Sequence, residues 1–290
     1  MIPAAFDYRR PSDVDEALQM LGEDGDAKVL AGGQSLIPMM RFRLAEPGTL
    51  VDLNGLDELT RLEDADDGLH IGAMDRHAAL ENTERVAERY PLLSDAAAVI
   101  ADPLVRNRGT VGGSLAHADP AGDWGAVMIA CGAELRIRSA DGERTMPAED
   151  LFLTTFTTTL EQGELLSEIV VPPAAPGRAG AYEKMERKVG DFATVAVAAH
   201  LELDGDGACR TAGIGLTAVG ATNLRAGEAE AELEGAAPDE ERIAAAARKA
   251  AEASEPTADN RGSEEYKRDM VRVLTERALR RAAERAGASA

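Results

Sequence analysis

Two glycine-containing stretches decide how the N-terminal half of this sequence folds: Ala31-Gly32-Gly33-Gln34-Ser35-Leu36 and Thr110-Val111-Gly112-Gly113-Ser114-Leu115. The first follows a strand-like apolar run at 28–31 and precedes a helix-like stretch at 36–43, and the second is predicted to be another glycine turn. Paired glycines let backbone N–H groups converge on an anion, because no Cβ stands in the way. Two such turns could clamp the two phosphates of a dinucleotide, whereas each one alone is more often a plain turn. Neither has the Gly-x-Gly-x-x-Gly pattern or the lysine of a Walker loop.

Around these stretches, the sequence contains both strand-like and helix-like segments. Helices are predicted at 14–21, 36–43, 76–87, 92–99, 126–130, 239–253 and 264–285. Strands are predicted at 28–31, 49–53, 69–73, 134–139, 165–171, 181–187, 193–203 and 208–219. The turn Asp204-Gly205-Asp206-Gly207 should join the last two strands in a hairpin. The prolines and glycines at 172–177 form the strongest linker signal, so we expect a domain boundary near 173–180.

Composition and charge exclude several classes of function. The chain has 290 residues, enough for about two domains, and 44% of them are hydrophobic, which is sufficient for a packed core. Its 31 basic and 52 acidic residues give a net charge of −21. A field of this sign repels phosphate backbones, so we expect no nucleic-acid partner. No long apolar run is present, and we expect neither a membrane span nor a secretory signal.

The cysteines and histidines form no metal-binding or catalytic motif. Cys131 and Cys209 lie far apart, and no Cys-x-x-Cys pair is present. This excludes an iron–sulfur cluster or a thiolate zinc site built by this chain alone. No Ser/His/Asp or Cys/His arrangement lies near either glycine stretch. Any redox chemistry therefore needs an organic cofactor or a partner chain.

Two other segments carry side chains that could contact a ligand. In the segment 117–124, a carboxylate close to a phosphate loop is better suited to accept hydrogen bonds from sugar hydroxyls. We expect Asp119 to cap a turn, His117 to be structural and Trp124 to pack in the core. The segment 182–194 combines three cations with two aromatic side chains, which suits an anionic group or a planar ring. A strand with a solvated charged face explains that segment equally well.

The chain resembles the medium, FAD-binding subunits of molybdenum hydroxylases, and within this family it is most similar to the carbon monoxide dehydrogenase type. The similarity extends over nearly the whole chain, and the two glycine stretches at this separation are its most specific feature. The other matching motifs are Ile2-Pro3, Phe6-Asp7-Tyr8, Arg10-Pro11, Leu36-Ile37-Pro38, Ile71-Gly72-Ala73-Met74, Ala101-Asp102-Pro103, Asp119-Pro120, Ala181-Tyr182-Glu183-Lys184, Gly190-Asp191-Phe192-Ala193-Thr194 and Ile214-Gly215-Leu216-Thr217.

The resemblance implies a fold of the α+β class. An FAD-binding domain of the vanillyl-alcohol-oxidase type would span 1–175, with two α+β subdomains split near 55–60, and a smaller α+β domain with an antiparallel sheet would span 176–290. Asp123 would hydrogen-bond the sugar-like chain of FAD, and Leu160 and Lys184 would lie beside the isoalloxazine ring. Phe192 stands where the carbon monoxide enzyme typically has Tyr, so we expect ring packing there and no proton role. No residue is implied to be catalytic. The complete implied FAD-binding set is Val29, Leu30, Ala31, Gly32, Gly33, Gln34, Ser35, Leu36, Thr110, Val111, Gly112, Gly113, Ser114, Asp123, Leu160, Lys184 and Phe192.

The resemblance also implies partners and a role in electron transfer. A small [2Fe–2S] subunit and a large molybdopterin subunit would join this chain in a dimer of heterotrimers. Electrons would pass from molybdenum through the clusters to FAD, and then to a quinone, NAD⁺ or O₂. Carbon monoxide is the expected substrate, with xanthine, an aldehyde or an N-heterocycle as alternatives. A self-sufficient flavoenzyme and a flavin-free scaffold are less favoured. We expect a cytoplasmic complex that can associate with the inner face of the membrane through a partner.

Overall fold

A computed structural model describes residues 2–287 and shows three main sheets with flanking helices. The first sheet is parallel, with strand order β1-β3-β2. Its elements are β1 (Asp7–Arg9), α1 (Val14–Glu23), β2 (Ala27–Leu30), α2 (Leu36–Arg41) and β3 (Thr49–Asp52). The helix α1 packs on this unit because its apolar side chains recur three and four residues apart and are buried. Asp13 caps the helix by accepting a hydrogen bond from the Glu16 amide at 2.8 Å.

The second sheet is antiparallel, with strand order β4-β5-β10-β6-β7. Its strands are β4 (Leu62–Ala65), β5 (Gly68–Gly72), β6 (Glu134–Ser139), β7 (Gly142–Pro147) and β10 (Leu165–Val171), and a small hairpin of β8 (Phe152–Thr154) and β9 (Thr157–Thr158) lies beside it. Six helices connect β5 to β6: α3 (His77–Asn82), α4 (Glu84–Arg89), α5 (Pro91–Val99), α6 (Pro103–Arg106), α7 (Val111–His117) and α8 (Asp123–Cys131). All nine residues of α8 are buried, so this helix belongs to the centre of the molecule.

The third sheet is antiparallel, with strand order β11-β12-β13-β14, and it packs against α8. Its elements are β11 (Arg178–Met185), β12 (Val195–Leu203), β13 (Cys209–Thr217) and β14 (Leu224–Arg225), followed by α9 (Gly227–Ala231), α10 (Glu240–Ala253) and α11 (Glu264–Ala286). Gly213 and Gly215 let β13 approach α8 closely, because a Cβ at either position would overlap a carbonyl of that helix. None of the helices within 2–287 has the length and apolarity that crossing a membrane requires.

The α+β class and the hairpin at 204–207 are confirmed, whereas two predictions of local structure are wrong. The segment 76–87 forms two helices, because Thr83 leaves helical geometry at φ −87° and ψ 112°. The second glycine stretch is the first turn of α7 rather than a loop. Thr110 is its N-cap, and its Oγ1 accepts a hydrogen bond from the Gly113 amide at 3.1 Å.

Candidate functional site

The first glycine stretch leaves β2 and enters α2 with an unusual number of free backbone donors. Gly33 has a φ of +72°, in the left-handed region that glycine enters without a Cβ penalty. The first bonded amide of α2 is that of Ile37, which donates to the Gly33 carbonyl at 3.1 Å. Within residues 2–287, the N–H groups of residues 32–36 have no protein acceptor. Five consecutive amides therefore remain available to an anionic ligand.

The second stretch uses its amides inside the protein. The Val111 amide donates to the Asp75 carbonyl, and the Gly112 amide donates to the Ala73 carbonyl, each at 3.0 Å. Gly112 fits here only because it lacks a side chain, since a Cβ would lie 2.5 Å from that of Ala73. The second stretch is thus anchored to the end of the second sheet, and its contribution is a close backbone approach rather than free donors.

The structure brings the two stretches into contact, as is required if both are to bind the phosphates of one dinucleotide. A Cβ on Gly32 would overlap the Arg108 carbonyl oxygen and lie 2.7 Å from the Gly109 Cα. A Cβ on Gly113 would lie 3.3 Å from the Cβ of Ala31. An added Cβ would have no room at Gly32 and little at Gly113, so the two stretches come this close because both positions are glycine. The two glycine stretches within the predicted segments Val29–Leu36 and Thr110–Ser114 therefore lie side by side.

Two side chains that sequence reasoning missed tie these stretches together. The Asn54 Nδ2 donates to the Ala31 carbonyl at 2.8 Å. The Arg76 guanidinium donates to Asn54 Oδ1 at 2.7 Å and, through its other terminal nitrogen, to the Arg108 carbonyl. A signal for Asn54 was available, because it follows β3, and neighbouring parallel strands end at the same edge of a sheet. Burial and the neighbouring Arg108 lower the pKa of Arg76.

Asp123 and Lys184 form a buried ion pair between α8 and β11. The Asp123 side chain accepts from the Tyr182 hydroxyl at 2.7 Å and from Lys184 Nζ at 3.2 Å. Lys184 Nζ also donates to the Val99 carbonyl at 3.0 Å, and its side chain is only 3% exposed. Burial raises the pKa of Asp123, and burial together with the Asp123 charge raises the pKa of Tyr182 well above its usual value. A solvated charged face is therefore the wrong explanation for this part of β11.

Glu186 extends this cluster in the direction of the loop that follows β11. Its Oε1 accepts from the Gly190 amide at 3.0 Å, and its Oε2 lies 3.6 Å from Lys184 Nζ. That second oxygen is buried and has no hydrogen-bond partner among residues 2–287. Tyr182, Lys184 and Glu186 are two residues apart, the spacing that puts side chains on one face of a strand. This period-two pattern was the available signal for Tyr182 and Glu186.

The other predicted ligand contacts differ in exposure. Leu160 is half-buried and packs against the core of the second sheet. Phe192 is 53% exposed in the loop between β11 and β12, where its carbonyl accepts from Arg261 at 2.8 Å. The turn that precedes Asp123 and α8 passes the second glycine stretch, since a Cβ on Gly122 would lie 3.8 Å from Ser114 Oγ. A contact of Leu160 or Phe192 with FAD stays a prediction.

Two of the structural roles that the sequence predicted are confirmed. Asp119 Oδ1 accepts from the Ala121 amide at 2.9 Å, as expected of a turn cap. Trp124 is fully buried, and its Nε1 donates to His77 Nδ1 at 2.9 Å. Burial lowers the pKa of His77 to about 4, so its ring is neutral at pH 7 and can accept this bond.

Comparisons with known families agree with this arrangement. Residues 4–174 match the family described as "FAD binding domain in molybdopterin dehydrogenase". Residues 180–282 match the family described as "CO dehydrogenase flavoprotein C-terminal domain". The first match ends at residue 174, before β11, and the second begins at residue 180, within β11.

Individual relatives are similar over almost their full length. The carbon monoxide dehydrogenase medium chain of Hydrogenophaga pseudoflava is 43% identical over 280 residues, which cover 96% of this chain and 97% of that protein. The alpha subunit of the 6-hydroxypseudooxynicotine dehydrogenase complex of Paenarthrobacter nicotinovorans is 39% identical over 287 residues, which cover 99% of this chain and 97% of that protein. A chain of the solved H. pseudoflava carbon monoxide dehydrogenase superposes with a TM-score of 0.95 at 44% identity. The match covers 98% of this chain and 99% of that chain. The chain therefore belongs to the family of FAD-binding medium subunits of molybdenum hydroxylases, which includes the medium chains of carbon monoxide dehydrogenase.

Proposed function

We propose that this chain holds one FAD at its two glycine stretches and carries electrons out of a molybdenum hydroxylase complex. The observation behind this proposal is the contact between the two stretches, together with the five unpaired amides of residues 32–36. The chemistry that FAD supplies when bound is redox chemistry, by which electrons from the [2Fe–2S] clusters of a small subunit reach an external acceptor.

The glycine stretches fit a pyrophosphate. Five adjacent N–H groups offer the donors that phosphate oxygens need, and the left-handed Gly33 turns the backbone around them. The half-buried cation of Arg76 donates to the Arg108 carbonyl beside the second stretch, in a chain whose net charge is −21. A local positive charge in an acidic protein favours an anionic ligand at this place over the rest of the surface. The second stretch would exclude water from one side of the phosphates.

Asp123 fits the sugar-like part of FAD. Its carboxylate is 7% exposed and is already held by Tyr182 and Lys184. A carboxylate has about four lone-pair sites, so these two bonds leave room to accept from a ligand hydroxyl. Tyr182 and Lys184 would orient the Asp123 carboxylate, and the charge of Lys184 would favour its ionised form. We propose that Lys184, Leu160 and Phe192 lie towards the isoalloxazine end.

The rest of the assembly follows from the family. We propose a small [2Fe–2S] subunit and a large molybdopterin subunit as partners in a dimer of heterotrimers, with a quinone, NAD⁺ or O₂ as acceptor. We also propose a cytoplasmic location, with association to the inner face of the membrane through a partner. Within the chain, we propose an FAD-binding domain at 1–175, split near 55–60, and a C-terminal domain at 176–290.

For the substrate of the complex we propose carbon monoxide. The support is the carbon monoxide dehydrogenase medium chain of H. pseudoflava, which is 43% identical over 96% of this chain. A second candidate is an N-heterocycle. Its support is a solved quinoline 2-oxidoreductase from Pseudomonas putida 86, in which a chain superposes with a TM-score of 0.91 at 38% identity, with 99% of both chains covered.

Titration of the purified full-length chain with FAD tests the cofactor assignment. We expect saturable quenching of flavin fluorescence at one FAD per chain. Gly33→Val should abolish FAD binding. Valine would have to adopt the left-handed backbone conformation of Gly33, and its Cβ would lie 2.7 Å from Ile37 Cδ1. Gly207→Val is the matched control, because Gly207 has a φ of +83° in the distant β12–β13 hairpin, with open space around it. Normal flavin content in Gly33→Val would refute the assignment.

Purification of the native complex tests the electron route and the substrate. We expect copurifying small and large subunits, molybdenum and iron, and reduction of a dye by carbon monoxide. Molybdenum and iron without that activity, but with dye reduction by an N-heterocycle, would favour the second candidate. Recovery of the chain alone, with FAD and its own turnover, would contradict the subunit role.

A further inference from the structure

We propose that Asn54 and Arg76 form a clamp that sets the spacing between the two glycine stretches and thereby sets the affinity for FAD. The proposal rests on the proposed function, since it concerns the same site. Neither residue belongs to the predicted FAD-binding set, and we assign both as positioning residues. They act on the backbone carbonyls of the stretches.

The clamp is a continuous chain of hydrogen bonds across the site. It begins at the Ala31 carbonyl, which accepts from Asn54 Nδ2 at 2.8 Å. It continues from Asn54 Oδ1 to one terminal nitrogen of Arg76 at 2.7 Å and ends where the other terminal nitrogen donates to the Arg108 carbonyl. Ala31 opens the first stretch and Arg108 precedes the second, so three bonds join the two.

The chemistry of the partners fixes the direction of every bond. A guanidinium can only donate and a backbone carbonyl can only accept, so the Asn54 amide must present its oxygen to Arg76 and its nitrogen to Ala31. The Asn54 backbone amide also donates to Asp52 Oδ1 at 2.9 Å, which holds the residue at the end of β3. The Tyr8 hydroxyl in turn donates to Asp52. An asparagine is the residue type that can join an arginine to a carbonyl at this position.

The spacing that the clamp sets has no slack. Gly32 lies against the Arg108–Gly109 backbone so closely that a single Cβ would overlap it. The five unpaired amides begin at Gly32, one residue beyond the carbonyl that Asn54 holds. Loss of the Asn54 bond would free that carbonyl and let these amides reorient before FAD arrives. The cost would appear as weaker binding, because the ligand must then order them.

Asn54→Asp tests the clamp in the full-length chain. The substitution keeps the shape and the acceptor for Arg76 but removes the donor to the Ala31 carbonyl and to Asp52 Oδ1, and it places two carboxylates side by side. We expect the Kd for FAD to rise at least on the order of tenfold, which corresponds to the loss of about one hydrogen bond. Asn82→Asp is the matched control, because the exposed Asn82 donates through Nδ2 to the Ala78 carbonyl at 2.7 Å within α3, and the change in charge is the same. We expect Asn82→Asp to bind FAD as the unmodified chain does.

Two further variants separate positioning from simple stability. Asn54→Gln restores both the donor and the acceptor on a longer side chain, so it should recover part of the affinity that Asn54→Asp loses. Arg76→Lys keeps the charge but loses the two-nitrogen bridge, so it should weaken binding about as much as Asn54→Asp. In the double variant the two losses should not add, because both remove the same unit. Thermal unfolding without FAD would show that each variant is folded.

Several results would overturn the clamp. They are an unchanged Kd in Asn54→Asp, an equal loss in Asn82→Asp, or additive losses in the double variant. If Asn54→Asp does not fold, Arg76→Lys with an unchanged Kd would overturn it instead. Failure of the unmodified chain to bind FAD would refute the proposed function itself and is recognisable before any variant is compared.

Discussion

Gly32→Ala is the smallest change that should separate the two glycine stretches. The added Cβ would lie 2.7 Å from the Gly109 Cα and overlap the Arg108 carbonyl oxygen. Carbon atoms pack at about 3.5–4.0 Å, so the backbones must move apart by about 1 Å. Both obstructing atoms belong to the backbone, and no side chain can turn away to make room. Overpacking of this kind costs about 1–3 kcal/mol.

We expect this cost to appear in FAD binding, because the displaced backbone carries the unpaired amides of residues 32–36. A cost of about 1–3 kcal/mol corresponds to a Kd that is about 5- to 150-fold higher. Fluorescence titration of the full-length chain with FAD measures it, and thermal unfolding without FAD shows what remains in the fold. Gly205→Ala is the control, since a Cβ there meets nothing within 4 Å. Equal affinity for FAD in Gly32→Ala and the unmodified chain would show that close contact between the two stretches is not needed for binding.

Three other substitutions test the packing and the charges. Lys184→Met should lower the free energy of unfolding in denaturant by about 3–5 kcal/mol, because it leaves the buried Asp123 carboxylate without its cation. Adding Asp123→Asn should restore most of that stability. Equal stability of Lys184→Met and the unmodified chain would contradict the ion pair. Gly215→Val should destabilise by at least about 1–3 kcal/mol, since its side chain would overlap α8, whereas Gly227→Ala, in open space, should not destabilise. The pKa of His77 falls from 6.5 to about 4 on folding, so between these values only the unfolded chain gains the proton and stability falls as the pH falls. Between pH 7 and pH 5 this loss should be about 2 kcal/mol and absent from His77→Gln, and parallel pH profiles for the two proteins would contradict it.

The elements that sequence could predict are those whose pattern is local. The helix α1 follows from apolar residues spaced as in Val14, Ala17, Leu18 and Leu21, and the β12–β13 hairpin follows from its turn residues. The strands β1 and β7 were not predictable in this way. All three residues of β1 and five of the six in β7 are exposed. A strand with no buried face does not need alternating apolar and polar residues, so the pattern that marks a strand is missing.

The candidate site could be predicted only in part, because it is assembled by tertiary contacts. Glycine pairs marked both stretches, but the helical start of the second depends on how Gly112 fits against Ala73. The pairing of Asp123 with Lys184 joins residues 61 positions apart, on a helix and a strand whose contact no local pattern encodes. The same holds for Arg76, which reaches a carbonyl 32 positions away. Sequence identified the chemistry, whereas packing decided which residues meet.

Amide hydrogen exchange of the full-length chain, with and without FAD, tests whether the cofactor binds at the first glycine stretch. We expect FAD to slow exchange at residues 32–36, whose amides have no protein acceptor, and to leave the turn at 204–207 unchanged. The second stretch should gain less protection, because its amides are already bonded. Tight FAD binding without added protection at residues 32–36 would contradict the account, since the cofactor would then be held elsewhere.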